Sequence, residues 1–239
     1  MDSGHCLVTG ANRGLGLEFA RQLLARGERV VATCRHPGKA TALNALAGEH
    51  PGRLRVLPLD VAAPRSITEL ANELPLLDDP SSGATLSLRL LVNCAGVLHS
   101  GERFGAIDPA IVEDSFRTNA MGPLLVTQAL AERLADGAKV ANLSSVLGSI
   151  GSLARFGSPS YDISKAAQNM ATALLAKALA PRGIVVLALH PGWAQTDMGG
   201  DNATVPVADA VAGLLRVIDG AGAADSGGFR DWRGATLPW

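Results

Sequence analysis

A steady alternation of short apolar runs with longer helical patterns limits the fold of this chain more than any other feature. The runs Cys6–Thr9, Arg29–Cys34, Arg53–Leu59, Leu88–Asn93, Lys139–Leu143, Ile184–His190 and Phe229–Asp231 read as strands. Segments 15–26, 38–48, 65–75, 108–135, 160–180 and 207–219 read as helices between them. The strand runs are apolar without strict alternation, as parallel strands buried on both faces require. Strand, helix, strand repeated in this way implies right-handed crossovers. The expected architecture is α/β: a doubly wound parallel seven-stranded sheet with helices on both faces.

Gly27 and Pro181-Arg182-Gly183 punctuate helix ends, and Asp78-Asp79-Pro80-Ser81-Ser82-Gly83 reads as an exposed loop. Splitting the chain at that loop would strip the first half of its neighbouring strands, so residues 1–239 are expected to form a single domain. Hydrophobic residues at 47% and charged residues at 18% supply a core and exclude a disordered chain. The net charge is −1 with no basic stripe, so neither nucleic acid nor a membrane surface is an expected partner. The longest apolar stretches, such as Ala171 to Leu179, are broken by Lys177 and too short to span a bilayer. Met1-Asp2-Ser3-Gly4-His5 has no signal-peptide pattern. Three widely spaced cysteines, Cys6, Cys34 and Cys94, read as buried thiols in a reducing compartment, and the histidines show no metal-ligand spacing. The expectation is a soluble, cytoplasmic protein with no metal site.

The chemistry concentrates at strand ends. The first strand runs into Thr9-Gly10-Ala11-Asn12-Arg13-Gly14-Leu15-Gly16 and then a helix. Glycines there let the turn reverse and let backbone N–H groups approach a phosphate at a positive helix end. The second strand ends at Cys34-Arg35 with no acid to accept from a ribose hydroxyl. Arg35, with Arg13 opposite, suits a 2′-phosphate and so NADP(H). Leu59-Asp60-Val61 and Asn93-Cys94-Ala95-Gly96 put small and polar groups at two further strand ends, although Asp60 could equally cap the next helix.

Tyr161 and Lys165 stand four apart on a helix and share a face. A nearby ammonium would stabilise the phenolate and lower the pKa of the phenol, making it a usable acid–base group. Asn142-Leu143-Ser144-Ser145 delivers hydroxyls to the same edge, and Asn119 falls within the long helix beyond.

In this order, Thr9 to Gly16, Asn93-Cys94-Ala95-Gly96, Asn119, Ser145, Tyr161-Asp162-Ile163-Ser164-Lys165 and Pro191-Gly192 resemble the motif set of single-domain short-chain dehydrogenases/reductases, across essentially the whole chain. His190-Pro191-Gly192-Trp193-Ala194-Gln195-Thr196-Asp197-Met198, Ala32 to Pro37 and Leu237-Pro238-Trp239 resemble the C-factor/sniffer-like carbonyl reductases. The resemblance implies a Rossmann-type fold and a catalytic tetrad of Asn119, Ser145, Tyr161 and Lys165. Ser145 is preferred to Ser144 because Val146-Leu147-Gly148 follows it. It further implies an adenine near Asp60 and Val61, with Gly10, Asn12, Arg13, Gly14, Leu15, Gly16, Arg35, Asn93, Ala95, Gly96, Pro191, Gly192, Ala194 and Thr196 around the cofactor. Lys165 would hold the nicotinamide ribose, and Asn119 a water that relays protons to Lys165. The substrate implied is a small carbonyl compound or alcohol, and the assembly a homodimer or homotetramer.

Ser145 and Tyr161 lie further apart than in most of the family, so Arg155-Phe156-Gly157 is expected in a small insertion at the mouth of the site. Leu98, Leu147, Phe156, Trp193 and Met198 are candidates for an apolar substrate wall. The covering segment between Gly192 and Pro206 is short, which implies an open site. A nucleotide-sugar epimerase or dehydratase would need a different glycine spacing and a larger C-terminal region. A signalling or redox-sensing module that binds a dinucleotide is the other alternative; such modules tend to lose Tyr or Lys, and both are present here.

Overall fold

A computed structural model describes residues 4–77 and 86–239. The loop expected at Asp78–Gly83 and the first three residues lie outside the described residues. The strands are β1 His5–Val8, β2 Arg29–Cys34, β3 Leu54–Pro58, β4 Leu88–Asn93, β5 Leu134–Leu143, β6 Val185–His190 and β7 Phe229–Asp231. The helices are α1 Gly14–Ala25, α2 Thr41–Glu49, α3 Pro64–Glu73, α4 Pro109–Phe116, α5 Gly122–Ala129, α6 Pro159–Leu179 and α7 Val207–Gly220. All strand pairs of the seven-stranded sheet are parallel, in the order β3-β2-β1-β4-β5-β6-β7. This is the Rossmann-type doubly wound arrangement, with the chain order reversing between β1 and β4.

Side chains on one strand point alternately to the two faces, so each continuous apolar run feeds two cores. Cys6, Val8, Val92, Leu187 and Leu189 meet Phe19 and Leu23 of α1, Leu43 of α2 and Leu214 of α7 on one face. Leu7, Leu91, Val140 and Val186 meet Leu70 of α3, Val126 of α5 and Leu175 of α6 on the other. Strand runs without polar alternation are thus the mark of a sheet that has no wet face.

The single long helix expected over 108–135 is three pieces. A π-helical turn at Arg117–Met121 separates α4 from α5, and α5 stops at Ala129 before a 3₁₀ turn at Ala131–Arg133. The chain then enters β5 five residues before the expected Lys139, because Leu134 pairs with Leu88 of β4. Arg182 fixes this exit: its guanidinium donates to the carbonyl oxygens of Ala131, at 2.7 Å, and Leu134. Ala-Glu-Arg-Leu-Ala favours helix locally, but strand pairing and the capping guanidinium end it.

Leu91 is fully buried in the central strand β4. Leu91→Ala is expected to lower the unfolding free energy by about 2–5 kcal/mol, read from urea denaturation, with the native circular dichroism retained.

Candidate active site

The carboxyl ends of β1, β4, β5 and β6 open onto one cavity of about 680 Å³. It lies where the strand order reverses, since the helices following β1 and β4 leave toward opposite faces and leave the strand ends uncovered. Thr9 ties the rim together: its Oγ1 accepts from the backbone N–H groups of Cys94 (3.0 Å) and Ala95 (3.1 Å).

The glycine turn forms one wall. Gly10 and Gly14 have φ of +66° and +53°, which disfavour side chains. Gly16 is needed for space, since a Cβ there would lie 2.3 Å from Gly10 O. α1 begins at Gly14, so its positive end faces the cavity. Asn12, Arg13, Leu15, Arg35, Asp60, Val61, Ala95, Gly96, Pro191, Gly192, Ala194 and Thr196 also line the cavity. Asp60 does not cap the next helix, whose N-cap is Ala63; its Oδ1 accepts from Ala62 N at 3.0 Å in the turn before it. Arg13 makes a 2.7 Å ion pair with Asp197 at the rim. Lys39, which sequence reasoning passed over, extends the positive wall beyond Arg35, with the His36 ring beside it. A glycine cradle, a helix N-terminus and this cluster of cations fit a phosphorylated dinucleotide.

Asn93 is a correction: it does not line the cavity. It is buried, donating to Asn142 Oδ1 (2.8 Å) and Thr127 Oγ1 (3.1 Å). The last strand residue alternates inward, leaving Cys94, Ala95 and Gly96 to face the ligand space.

Ser145, Tyr161 and Lys165 all reach the cavity. Ser144 and Ser145 both line the cavity but differ in their partners. Ser144 Oγ turns into the fold and donates to Asn169 Oδ1 at 2.6 Å, whereas Ser145 shares a side-chain hydrogen bond with Tyr161. Lys165 is buried, and its Nζ lies 5.6 Å from the Tyr161 ring centre, donating to Leu143 O (2.6 Å) and Gln168 Oε1 (2.9 Å). Burial pulls the ammonium down to about 8, partly opposed by the Cys94 thiol.

The expected lowering of the Tyr161 pKa by Lys165 is not met in this geometry. Burial pushes the phenol up to about 12; the Ser145 hydrogen bond lowers it and the Asp162 charge raises it. Desolvation outweighs the neighbouring groups here because the charged form of a buried phenol loses its water.

Asn119 sits in the π turn, one layer behind the cavity. Its Oδ1 accepts from Val97 N (2.8 Å), and its Nδ2 donates to Val97 O (2.8 Å) and Ser164 Oγ (3.0 Å). Only one lone pair of the amide oxygen is left for a further partner. A Cβ on Gly96 would stand 3.2 Å from that oxygen and 3.9 Å from Lys165 Nζ, so glycine keeps the way between them open.

On the outer side Leu98, Leu147, Trp193 and Met198 line the cavity, but Phe156 does not; its ring packs edge-on against Phe104, with centres 5.9 Å apart. Arg155 lines the mouth instead. The segment after Gly192 is compact: Ala194 bridges Val205, and Trp193 Nε1 donates to Gly199 O at 2.8 Å. Among the described residues no cluster of three or more His, Cys, Asp or Glu could hold a metal ion, and no helix is long and apolar enough to cross a membrane.

The comparisons with known proteins agree with this geometry. The family model for short chain dehydrogenases matches residues 4–205. The chain therefore belongs to the short-chain dehydrogenase family of oxidoreductases. It is 45% identical to the C-signal of Myxococcus xanthus over 152 residues, 63% of this chain and 92% of that protein. It is 34% identical to 1-hydroxy-2-glutathionyl-2-methyl-3-butene dehydrogenase of Rhodococcus sp. strain AD45 over 237 residues, 98% of each chain. The NADPH-bound carbonyl reductase from chicken fatty liver superposes with a TM-score of 0.91 at 37% identity, over 100% of both chains. The carbonyl reductase Sniffer of D. melanogaster gives 0.91 at 29%, over 99% of both.

His190, at the end of β6, lines the cavity, and burial lowers its pKa from 6.5 to about 4, with Asp231 opposing. The unfolded chain therefore binds a proton that the folded one refuses, so this contribution to stability is full above about 6.5 and is lost as pH falls toward about 4. His190→Asn is expected to weaken the acid-side fall in melting temperature between those values, by the equivalent of about 1–3 kcal/mol. Thermal melts of both proteins across that range check it.

Proposed function

We propose that the chain is an NADP(H)-dependent carbonyl reductase, with Tyr161 as proton donor. The observation that carries this reading is that Ser145, Tyr161 and Lys165 share one cavity with the glycine turn and its cations. When bound, NADPH supplies the hydride that a carbonyl carbon accepts.

The chain's own residues do the rest. Ser145 and Tyr161, already hydrogen-bonded to each other, present two hydroxyls to the substrate oxygen. As that oxygen becomes an alkoxide, Tyr161 transfers its phenolic proton to it, and the alcohol is released. The high phenol pKa keeps the proton in place until the oxyanion forms, and the nearby Lys165 ammonium offsets the phenolate charge that remains. In the reverse direction the same pair takes the proton from an alcohol. Arg35 and Arg13 would grip the 2′-phosphate, with Arg13 released from Asp197 to do so. Asn119 would hold, through its one spare lone pair, the water that relays protons to Lys165. Leu98, Leu147, Trp193 and Met198 give the substrate an apolar wall. A single cytoplasmic domain that self-associates as a dimer or tetramer completes the reading.

A signalling module is the second reading, favoured by the 45% likeness to the C-signal. The retained Tyr161 and Lys165 favour the enzyme.

Turnover of quinones, dicarbonyls, aldehydes and ketones with NADPH tests the proposal. Tyr161→Phe is expected to cut turnover by about 10²–10⁴-fold while leaving NADPH binding near normal, measured by nucleotide fluorescence. Undiminished turnover in that variant sinks the assignment. Nucleotide binding without turnover on any of these compounds would favour the signalling module. Arg35→Ala is expected to weaken NADPH binding about tenfold or more and to spare NADH, since it removes a charge-assisted contact. An unchanged preference would remove Arg35 from the cofactor site.

A further inference from the structure

Lys165 offers three N–H donors. Two are committed inside the protein, to Leu143 O on β5 (2.6 Å) and to Gln168 Oε1 one turn further along α6 (2.9 Å). The tetrahedral nitrogen then has one direction left, and Lys165 lines the cavity. We propose that Gln168 is a positioning residue for Lys165: its amide oxygen solvates the buried ammonium and fixes which way the remaining N–H points. The inference rests on the reading of Lys165 as the partner of Tyr161.

Three observations favour this over a packing role. Gln168 is fully buried, where an aliphatic side chain would fill the volume without the cost of desolvating an amide. Its side chain makes one hydrogen bond, to Lys165; Nε2 has no partner among the described residues. The amide orientation is dictated by chemistry, because turning it over would set Nε2 against the ammonium, donor against donor.

Few charged groups compete with the Gln168 contact at Lys165. Tyr161 on α6 and Cys94 after β4 are the titratable groups facing Lys165, and burial and the Cys94 thiol are the influences on its charge. Asn119 from the π turn and the Val146–Gly148 turn present no charge to it, and β5 contributes only the Leu143 carbonyl. Both carbonyls therefore do what water does for an exposed lysine.

Two replacements pull in opposite directions. Gln168→Leu removes an oxygen that favours the charged form, so Lys165 should lose its proton about one pH unit earlier than its present value of about 8. Gln168→Glu adds a carboxylate, and Lys165 should hold its proton about one unit longer. The chain has four lysines, so their side-chain carbons can be titrated by NMR in the protein free of nucleotide. The alkaline limb of carbonyl reduction should move in step: down in Gln168→Leu, up in Gln168→Glu. Gln168→Met, close in length, serves as a second apolar replacement should Gln168→Leu fold poorly. Opposite shifts support the proposal. Midpoints that stay put, or that move the same way in the apolar and acidic variants, overturn it. Should Tyr161→Phe keep its turnover, the parent reading fails, and the NMR midpoints still decide the Gln168 contact separately.

Discussion

Everything functional in this molecule depends on the reversal of strand order between β1 and β4. Neighbouring parallel strands whose helices leave to opposite faces cannot have their carboxyl ends covered by either helix. The resulting gap exposes backbone N–H groups that water or a ligand must satisfy, and Thr9 takes two of them with a single hydroxyl. The same gap receives the positive end of α1 from one side and the ends of β5 and β6 from the other. A ligand that spans it can meet the glycine turn and the Ser145 and Tyr161 side chains at once.

Beneath the gap the second face is polar where it might have been oily. Lys165, Gln168, Asn169 and Thr172 are spaced as one buried stripe of α6; Lys165, Asn169 and Thr172 bond toward the sheet or the turns above it, and Gln168 accepts from Lys165. Asn142 donates to Thr172 and accepts from Asn93, which also reaches Thr127 of α5. Such a network costs desolvation and returns rigidity only when its members are bonded. Its place, directly under Ser145, Tyr161 and Lys165, accounts for the expense: an aliphatic layer there could neither hold an ammonium nor fix a hydroxyl.

The fold was legible because the apolar runs report two-sided burial directly, and the glycine turn and the Tyr161–Lys165 spacing are local. What escaped was set by distant partners. The expected helix over 108–135 ignored Leu134's pairing with Leu88 and the guanidinium of Arg182. Phe156 was assigned to the substrate wall without sight of Phe104. Asn93 was placed on the rim because a strand end does not announce which face its last side chain takes. Gln168 could have been found: polar residues three, four and seven places after Lys165, in an otherwise apolar helix, mark a buried polar stripe rather than a solvated one.

The Arg13–Asp197 pair is compatible with the phosphate role proposed for Arg13. Both side chains are exposed, so their attraction is worth about 1 kcal/mol or less. A doubly charged phosphate offers the same guanidinium two parallel hydrogen bonds and a larger charge. Exchange of carboxylate for such a phosphate would therefore cost little, and the pair holds Arg13 against Asp197 at the rim. Asp197 belongs to the short segment that packs back on Gly199 and Val205, so the bridge also links that segment to the glycine turn.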